Sequence, residues 1–238
     1  MKKIDRDAYG KGLLAYWQGK RSAKFTVFSD IAETEKWDIK LFFRTFDKMP
    51  EIEQIALKRC NGRILDAGAG AGSHALYLQN EGKSVTAIDI SEGAVDVMQK
   101  RCLNDVRFQD FFTLKGEKYD TLLLLMNGIG IVQHIDNVTK FFQQAKSLLN
   151  KEGKIILDSS NIIYMFMDED GSAAIDLNDK YYGEMSYRMD FANYRGVSFD
   201  WLYIDIDTLS QIASQQGFTC EKIYEDDHFH YLVELRLV

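Results

Sequence analysis

The chain has 238 residues, of which 46% are hydrophobic and 27% charged, with a single Pro. That balance fits one globular domain with a sizeable core and excludes disordered, low-complexity and collagen-like chains. The formal net charge of −7, without a Lys/Arg-rich run, argues against a nucleic-acid partner, whose affinity rests on neutralised phosphates. In chain order, the start Met1-Lys2-Lys3-Ile4-Asp5-Arg6-Asp7 is too charged to open a signal peptide. Two helices follow, Ala8 to Gly19 and Asp38 to Arg59, rich in aromatics that include Tyr9, Tyr16, Trp17, Trp37, Phe42, Phe43 and Phe46. A short apolar strand from Arg63 ends in Asp66 and runs into Gly68, Gly70 and Gly72, after which a helix begins. Ser84 to Ile90 alternates and is β-branched, so it reads as a second strand, ending at Asp89. Ser91 suits an N-cap for a helix with Val95, Met98 and Cys102 on one face.

A third strand spans Asp105 to Gln109, and Tyr119 to Met126 is the continuous apolar run of a buried parallel strand. His134 to Asn150 reads as a helix capped by Asp136, with Val138, Phe141, Phe142, Ala145, Leu148 and Leu149 as its apolar stripe. The fifth strand is Ile155 to Ser159. Past the acidic run Asp168-Glu169-Asp170, the segments Tyr181 to Ala192 and Val197 to Asp205 flank Asn193-Tyr194-Arg195-Gly196 as a β-hairpin. A helix capped by Asp207 and stopped at Gly217 precedes two closing strands, Thr219 to Glu225 and His228 to Leu237. Strand–helix alternation from 63 to 159 implies an α/β, doubly wound, parallel sheet with right-handed crossovers. No apolar stretch is long enough to span a membrane. Cys60, Cys102 and Cys220 are scattered and odd in number, so neither a metal site nor disulfides are expected, and a cytoplasmic setting is.

The glycine turn is the ligand-binding corner of such a sheet: glycines admit a ligand to the main chain, and a helix N-terminus offers unpaired amides. A dinucleotide fingerprint needs Gly-x-Gly-x-x-Gly. Here the third glycine comes one residue early, at Gly72, and Asp66 stands where its charge would repel a pyrophosphate and attract a cation. Asp89, about 20 residues past the turn, is placed to accept from a ribose hydroxyl pair.

Asp66-x-Gly68-Ala69-Gly70-x-Gly72 resembles the first motif of class I S-adenosylmethionine-dependent methyltransferases. The resemblance covers roughly residues 60 to 160 and implies a Rossmann-like, seven-stranded, mostly parallel sheet with an antiparallel last strand. It implies that Asp110 accepts from the adenine amino group, that Phe111 and Ile90 wall the ring, and that Asn127 contacts the methionine end. It further implies a division into an N-terminal helical lid over 1–60 and a cofactor-binding domain over 61–238, with a hairpin insert at 162–206 on the acceptor side. Tyr16, Trp17 and Arg21 are then candidate acceptor contacts, although packing the helices onto the sheet edge is the commoner role of such aromatics. His134 is the histidine nearest the expected pocket and the candidate base. The expected activity is methyl transfer from S-adenosylmethionine, leaving S-adenosylhomocysteine, to a small molecule. The alternatives are a cofactor-binding regulatory protein without turnover and an NAD-linked oxidoreductase. The acceptor and the oligomeric state are not legible.

Overall fold

The computed structural model describes residues 2–167 and 180–238, so the acidic run at 168–170 lies outside the described residues. In chain order the elements are β1 (Lys3–Ile4), α1 (Ala8–Trp17), β2 (Lys24–Ser29), β3 (Glu35–Asp38), α2 (Glu51–Arg59), β4 (Arg63–Ala67) and α3 (Ser73–Asn80). Next come β5 (Ser84–Asp89), α4 (Glu92–Lys100), β6 (Val106–Phe108), β7 (Tyr119–Leu124), α5 (Val138–Leu148) and β8 (Leu149–Ser160). The chain closes with β9 (Glu184–Asp190), β10 (Tyr194–Arg195), β11 (Ser198–Leu202), α6 (Ile206–Gln215), β12 (Phe218–Glu225) and β13 (His230–Leu237).

The main sheet has seven strands in the order β12-β13-β8-β7-β4-β5-β6. Strands β4 to β8 are parallel, and β13 lies antiparallel between β8 and β12. The chain leaves β4 toward β5 and later returns to β7 on the other side of β4, which puts a topological switch point at the β4–β7 crevice. The unbroken apolar run of β7 is explained by its two covered faces. Leu122 and Leu124 pack with Phe141, Phe142 and Ala145 of α5, whereas Leu123 joins Ile52, Ala56 and Leu57 of α2.

A second sheet, β11-β9-β2-β3, is antiparallel throughout and combines the N-terminal segment with the hairpin insert. Strand β1 pairs with β10, Lys3 opposite Tyr194, which ties the two again. Helix α1 packs Leu13 against Phe25 of β2 and Ile39, in a cluster with Ala94 and Val97 of α4.

Several boundaries differ from the sequence reading. The first 60 residues are not wholly helical, since β2 and β3 form where no element was expected. Asp38 to Arg59 is broken into two short 3₁₀ turns and α2. Pro50 caps α2 and holds Met49 extended (ψ 146), as the residue before a proline prefers. Asp136 does not cap α5; it sits within a 3₁₀ turn, and the helix starts at Val138. The cap of α6 is Asp205, whose side chain accepts from the Thr208 amide, while Asp207 is an acid of the first turn. Gly217 does end α6, with φ +70.

Candidate active site

The turn after β4 needs its glycines. Gly68 has φ +77 and stays exposed, with nothing but an Ile131 methyl within 4 Å of where a Cβ would stand. Gly70 has φ +56, and a Cβ there would meet the Tyr9 hydroxyl at 2.8 Å. The Gly68 and Ala69 amides both donate to the Ile88 carbonyl at 3.0 Å, which folds the turn against the end of β5.

Asp66 lies beside this turn and is 2% exposed. Its Oδ2 has no hydrogen-bond partner and is the single buried side-chain N or O so placed among the described residues. Desolvation pushes its carboxyl up to about 6, eased by the charge of His74 and the Ala75 amide. A buried acceptor without a donor costs about 1–3 kcal/mol, so the site is arranged for a donor that the chain does not supply. His74 is buried in α3, with Nε2 2.8 Å from Glu53 Oε2. Burial alone would lower its pKa, yet the Glu53 hydrogen bond and the carboxylate charges around it leave it raised. Glu53 also pairs with Arg44.

Asp89 ends β5 with both oxygens engaged: Oδ2 accepts from the Gly70 amide and Oδ1 from the Ser91 amide, each at 2.8 Å. Each oxygen retains a second acceptor position. Burial raises its pKa against those two amides. Helix α1 crosses this corner. Asp7 caps α1 through the Gly10 amide, accepts from Ser91 Oγ at 2.6 Å and accepts from the Gly93 amide at 2.8 Å. The crossing is close because Gly10 and Gly93 meet, a Cβ on Gly93 falling 2.6 Å from the Gly10 Cα. Tyr9 is thereby brought over Gly70, and the Asp89 charge adds to the burial that holds its phenol neutral.

Ile90 is 71% exposed at the rim of the same corner. Asp110 is exposed as well, and its Oδ1 accepts from the Phe112 amide. Phe111 is placed differently from the expectation of a ring wall. Its side chain is 4% exposed and stacks on Phe141 at 5.5 Å, inside the core, so only Ile90 of the expected pair presents an open apolar surface. Asn127 sits in a turn after β7 in which Met126 and Asn127 both have positive φ, 64 and 56. This uncommon backbone is braced from β8. Asp158 accepts from the Met126 and Gly128 amides, and Ser159 Oγ donates to Asn127 Oδ1 at 2.9 Å. Desolvation pushes Asp158, like Asp66, up to about 6.

A family model described as "Methyltransferase domain" matches residues 39–223. The chain belongs to that methyltransferase family. The structure superposes on a S-adenosylmethionine-dependent methyltransferase from Bacteroides fragilis, solved with S-adenosyl-L-homocysteine, with a TM-score of 0.92 and 40% identity. That match covers 98% of this chain and 95% of the other. A Streptomyces caelestis methyltransferase shares the fold (TM-score 0.66, 14% identity, 99% of this chain and 100% of that one). A Geobacillus sp. protein named provisionally as a methyltransferase is 28% identical over 102 residues, 40% of this chain and 41% of its own length. The chain therefore spans about two fifths of that curated relative. The protein is a S-adenosylmethionine-dependent methyltransferase, and neither the NAD-linked nor the non-catalytic reading finds support.

In this methyltransferase Asp66, Gly68, Ala69, Gly70, Gly72, Asp89, Ile90, Asp110 and Asn127 lie at the carboxyl ends of β4, β5, β6 and β7. The remaining expected residues lie elsewhere. Tyr16 packs on Phe43 at 4.7 Å and carries Arg21 over its ring, and Trp17 is 37% exposed at the end of α1. His134 has both ring nitrogens occupied, Nδ1 by Glu184 at 3.0 Å and Nε2 by Asp200 at 3.3 Å, and it ties the turn before α5 to β9 and β11. A cavity of about 190 Å³ opens between the second sheet and the carboxyl end of β8, lined by Trp37, Tyr187, Tyr203 and Ser160 among others. Sequence reasoning passed over Asp7, Tyr9 and Asp158. Asp158 carries the same signal as Asp66 and Asp89, an acid at a strand's carboxyl end; nothing local marks the other two. Among the described residues no group of three or more His, Cys, Asp or Glu could hold a metal, and no helix is long and apolar enough to cross a membrane.

Proposed function

We propose that this methyltransferase holds its cofactor at the β4–β5–β7 corner and passes the methyl group to a small-molecule acceptor in the neighbouring cavity. The observation that carries the reading is Asp66 Oδ2, a buried and partnerless carboxylate oxygen. The donor set fits: S-adenosylmethionine brings an ammonium for Asp66 and a hydroxyl pair for Asp89. When bound, it supplies a methyl already activated on a sulfonium, so the chain need only align, orient and exclude water. Asp66 pairs with the ammonium and regains the hydrogen bond it lacks. Asp89 accepts from the ribose hydroxyls with the acceptor positions left by the Gly70 and Ser91 amides. Asp110 and Ile90 face the adenine, and the Phe111 ring supports them from the core. Asp158 and Ser159 fix the Asn127 turn at the mouth between cofactor and acceptor. Helix α1 and Tyr9 act as the lid that keeps water from the corner.

The small-molecule class is supported by a cavity of about 190 Å³ and by the acidic chain. The experiment incubates the protein and labelled S-adenosylmethionine with a cellular small-molecule extract and identifies labelled products by mass spectrometry. A labelled compound of low mass is expected. Label found in protein or nucleic acid alone would overturn the acceptor class.

A further inference from the structure

The cavity between the second sheet and the carboxyl end of β8 is walled by the aromatic rings of Trp37, Tyr164, Tyr187 and Tyr203, and its formal charges are those of Glu33 and Glu35. No Lys or Arg lines it among the described residues. We infer that the methyl acceptor is a small aliphatic amine that enters as its ammonium ion. This rests on the acceptor role proposed for the cavity and adds the chemical class.

Three features favour a cation. Glu33 carries no hydrogen bond or ion pair among the described residues, so its charge is not neutralised by the chain. Glu35 is fixed through Oε2 by Trp37 Nε1 at 2.6 Å, which leaves Oε1 open and pins the indole beside the carboxylate. The phenols Tyr187 and Tyr203 meet at 3.1 Å. Burial first, and then nearby negative groups that include Glu35, push both phenols up, so they stay neutral. Aromatic faces with uncompensated carboxylates attract an ammonium through both ring quadrupole and charge. A carboxylate or phosphate acceptor would meet two like charges without a counter-ion.

An ammonium must shed a proton before its nitrogen has a lone pair to give. His230 lines the same cavity, with Nδ1 3.0 Å from Asp226 Oδ2 and Nε2 without a partner among the described residues. The Asp226 contact orients the ring through Nδ1 and leaves Nε2 as the open ring nitrogen. The ammonium proton passes to that nitrogen, and the freed lone pair forms the new N–C bond. The C–S bond breaks with its electron pair remaining on sulfur, so the products are the methylated amine, S-adenosylhomocysteine and protonated His230.

The test titrates choline and its uncharged isostere 3,3-dimethylbutanol into the protein saturated with S-adenosylhomocysteine, by calorimetry. Choline is expected to bind at least ten-fold more tightly than the isostere. Glu33→Gln with Glu35→Gln is expected to weaken choline about five- to ten-fold, while the affinity for S-adenosylhomocysteine, which reports the fold, stays unchanged. Equal binding of the isostere, or no choline binding by protein that still binds S-adenosylhomocysteine, would overturn the inference. Failure to bind S-adenosylhomocysteine at all would instead strike the cofactor placement beneath it. With the amine fraction of a small-molecule extract and labelled S-adenosylmethionine, His230→Gln is expected to cut label incorporation at least ten-fold with choline affinity intact. Undiminished incorporation would remove His230 from the proton step, and label on carboxyl or hydroxyl oxygen would remove the amine.

Discussion

Asp66 and Asp158 are carboxyls held at about 6 by burial, where the unfolded chain would hold them near 3.8. Such a group binds its proton more tightly when folded, so stability falls as pH rises from about 4 through about 6. At neutral pH a shift of two units costs ~3 kcal/mol for each. His74 acts in the same direction, because a raised histidine gives stability at low pH that is lost as pH climbs through its folded value. Glu53 is lowered, so its stabilisation is fully present above the ordinary carboxylate range and is lost only as pH falls below it. The cofactor-free protein should therefore melt at a higher temperature at pH 5.5 than at 7.5, and differential scanning fluorimetry reads the difference directly. Asp66→Asn should raise the cofactor-free melting temperature at pH 7.5 by several degrees, at ~2–4 °C per kcal/mol, and weaken S-adenosylhomocysteine at least ten-fold. A lower melting temperature with unchanged affinity would sink the role given to Asp66. Because the ammonium needs the charged carboxylate, wild-type affinity should fall as pH drops through about 6, with buffer-dependent enthalpy in calorimetry reporting the displaced proton. Asp89 is less clean as a probe. Truncating it to Ala would also strand the Gly70 and Ser91 amides, at about 1–3 kcal/mol each, so Asn is the informative replacement.

At the scale of elements, the polar attachment of α1, the proposed lid, runs through one side chain. Asp7 supplies the cap of α1 and accepts two hydrogen bonds from the start of α4. Asp7→Ala should cost about 1–2 kcal/mol as a lost cap, speed amide exchange across residues 8–17 and accelerate S-adenosylhomocysteine release. Unchanged exchange at those amides would show that α1 is held by its apolar face alone. How far this region could be read from sequence follows from the range of its interactions. Strands β4 to β8, the glycine turn and Asp89 were legible because strand periodicity, backbone permissiveness and strand-end acids are local signals. Strands β2 and β3 were not: they are six and four residues long, and β2 pairs with β9 more than 150 positions away. Phe111 shows a third case, in which the direction of the ring is decided by packing on Phe141, a contact 30 positions away that no local pattern marks.

For the whole molecule, the proposed acceptor half is discontinuous in sequence, assembled from the N-terminal 38 residues and β9–β11 around one antiparallel sheet. Removing residues 1–38 would strip β2 from β9 and expose an unpaired strand edge, a template for self-association. That truncated chain should aggregate by light scattering at concentrations where the full chain is monodisperse; a stable, monodisperse fragment would show that the cofactor half is independent. A crystal structure with S-adenosylhomocysteine shows whether the cofactor completes the corner around Asp66. Its ammonium is expected within hydrogen-bond distance, about 3 Å, of Asp66 Oδ2, with the ribose hydroxyls on Asp89 and the adenine beside Asp110 and Ile90. A ligand bound elsewhere, or an Asp66 Oδ2 still without a partner in the complex, would contradict it.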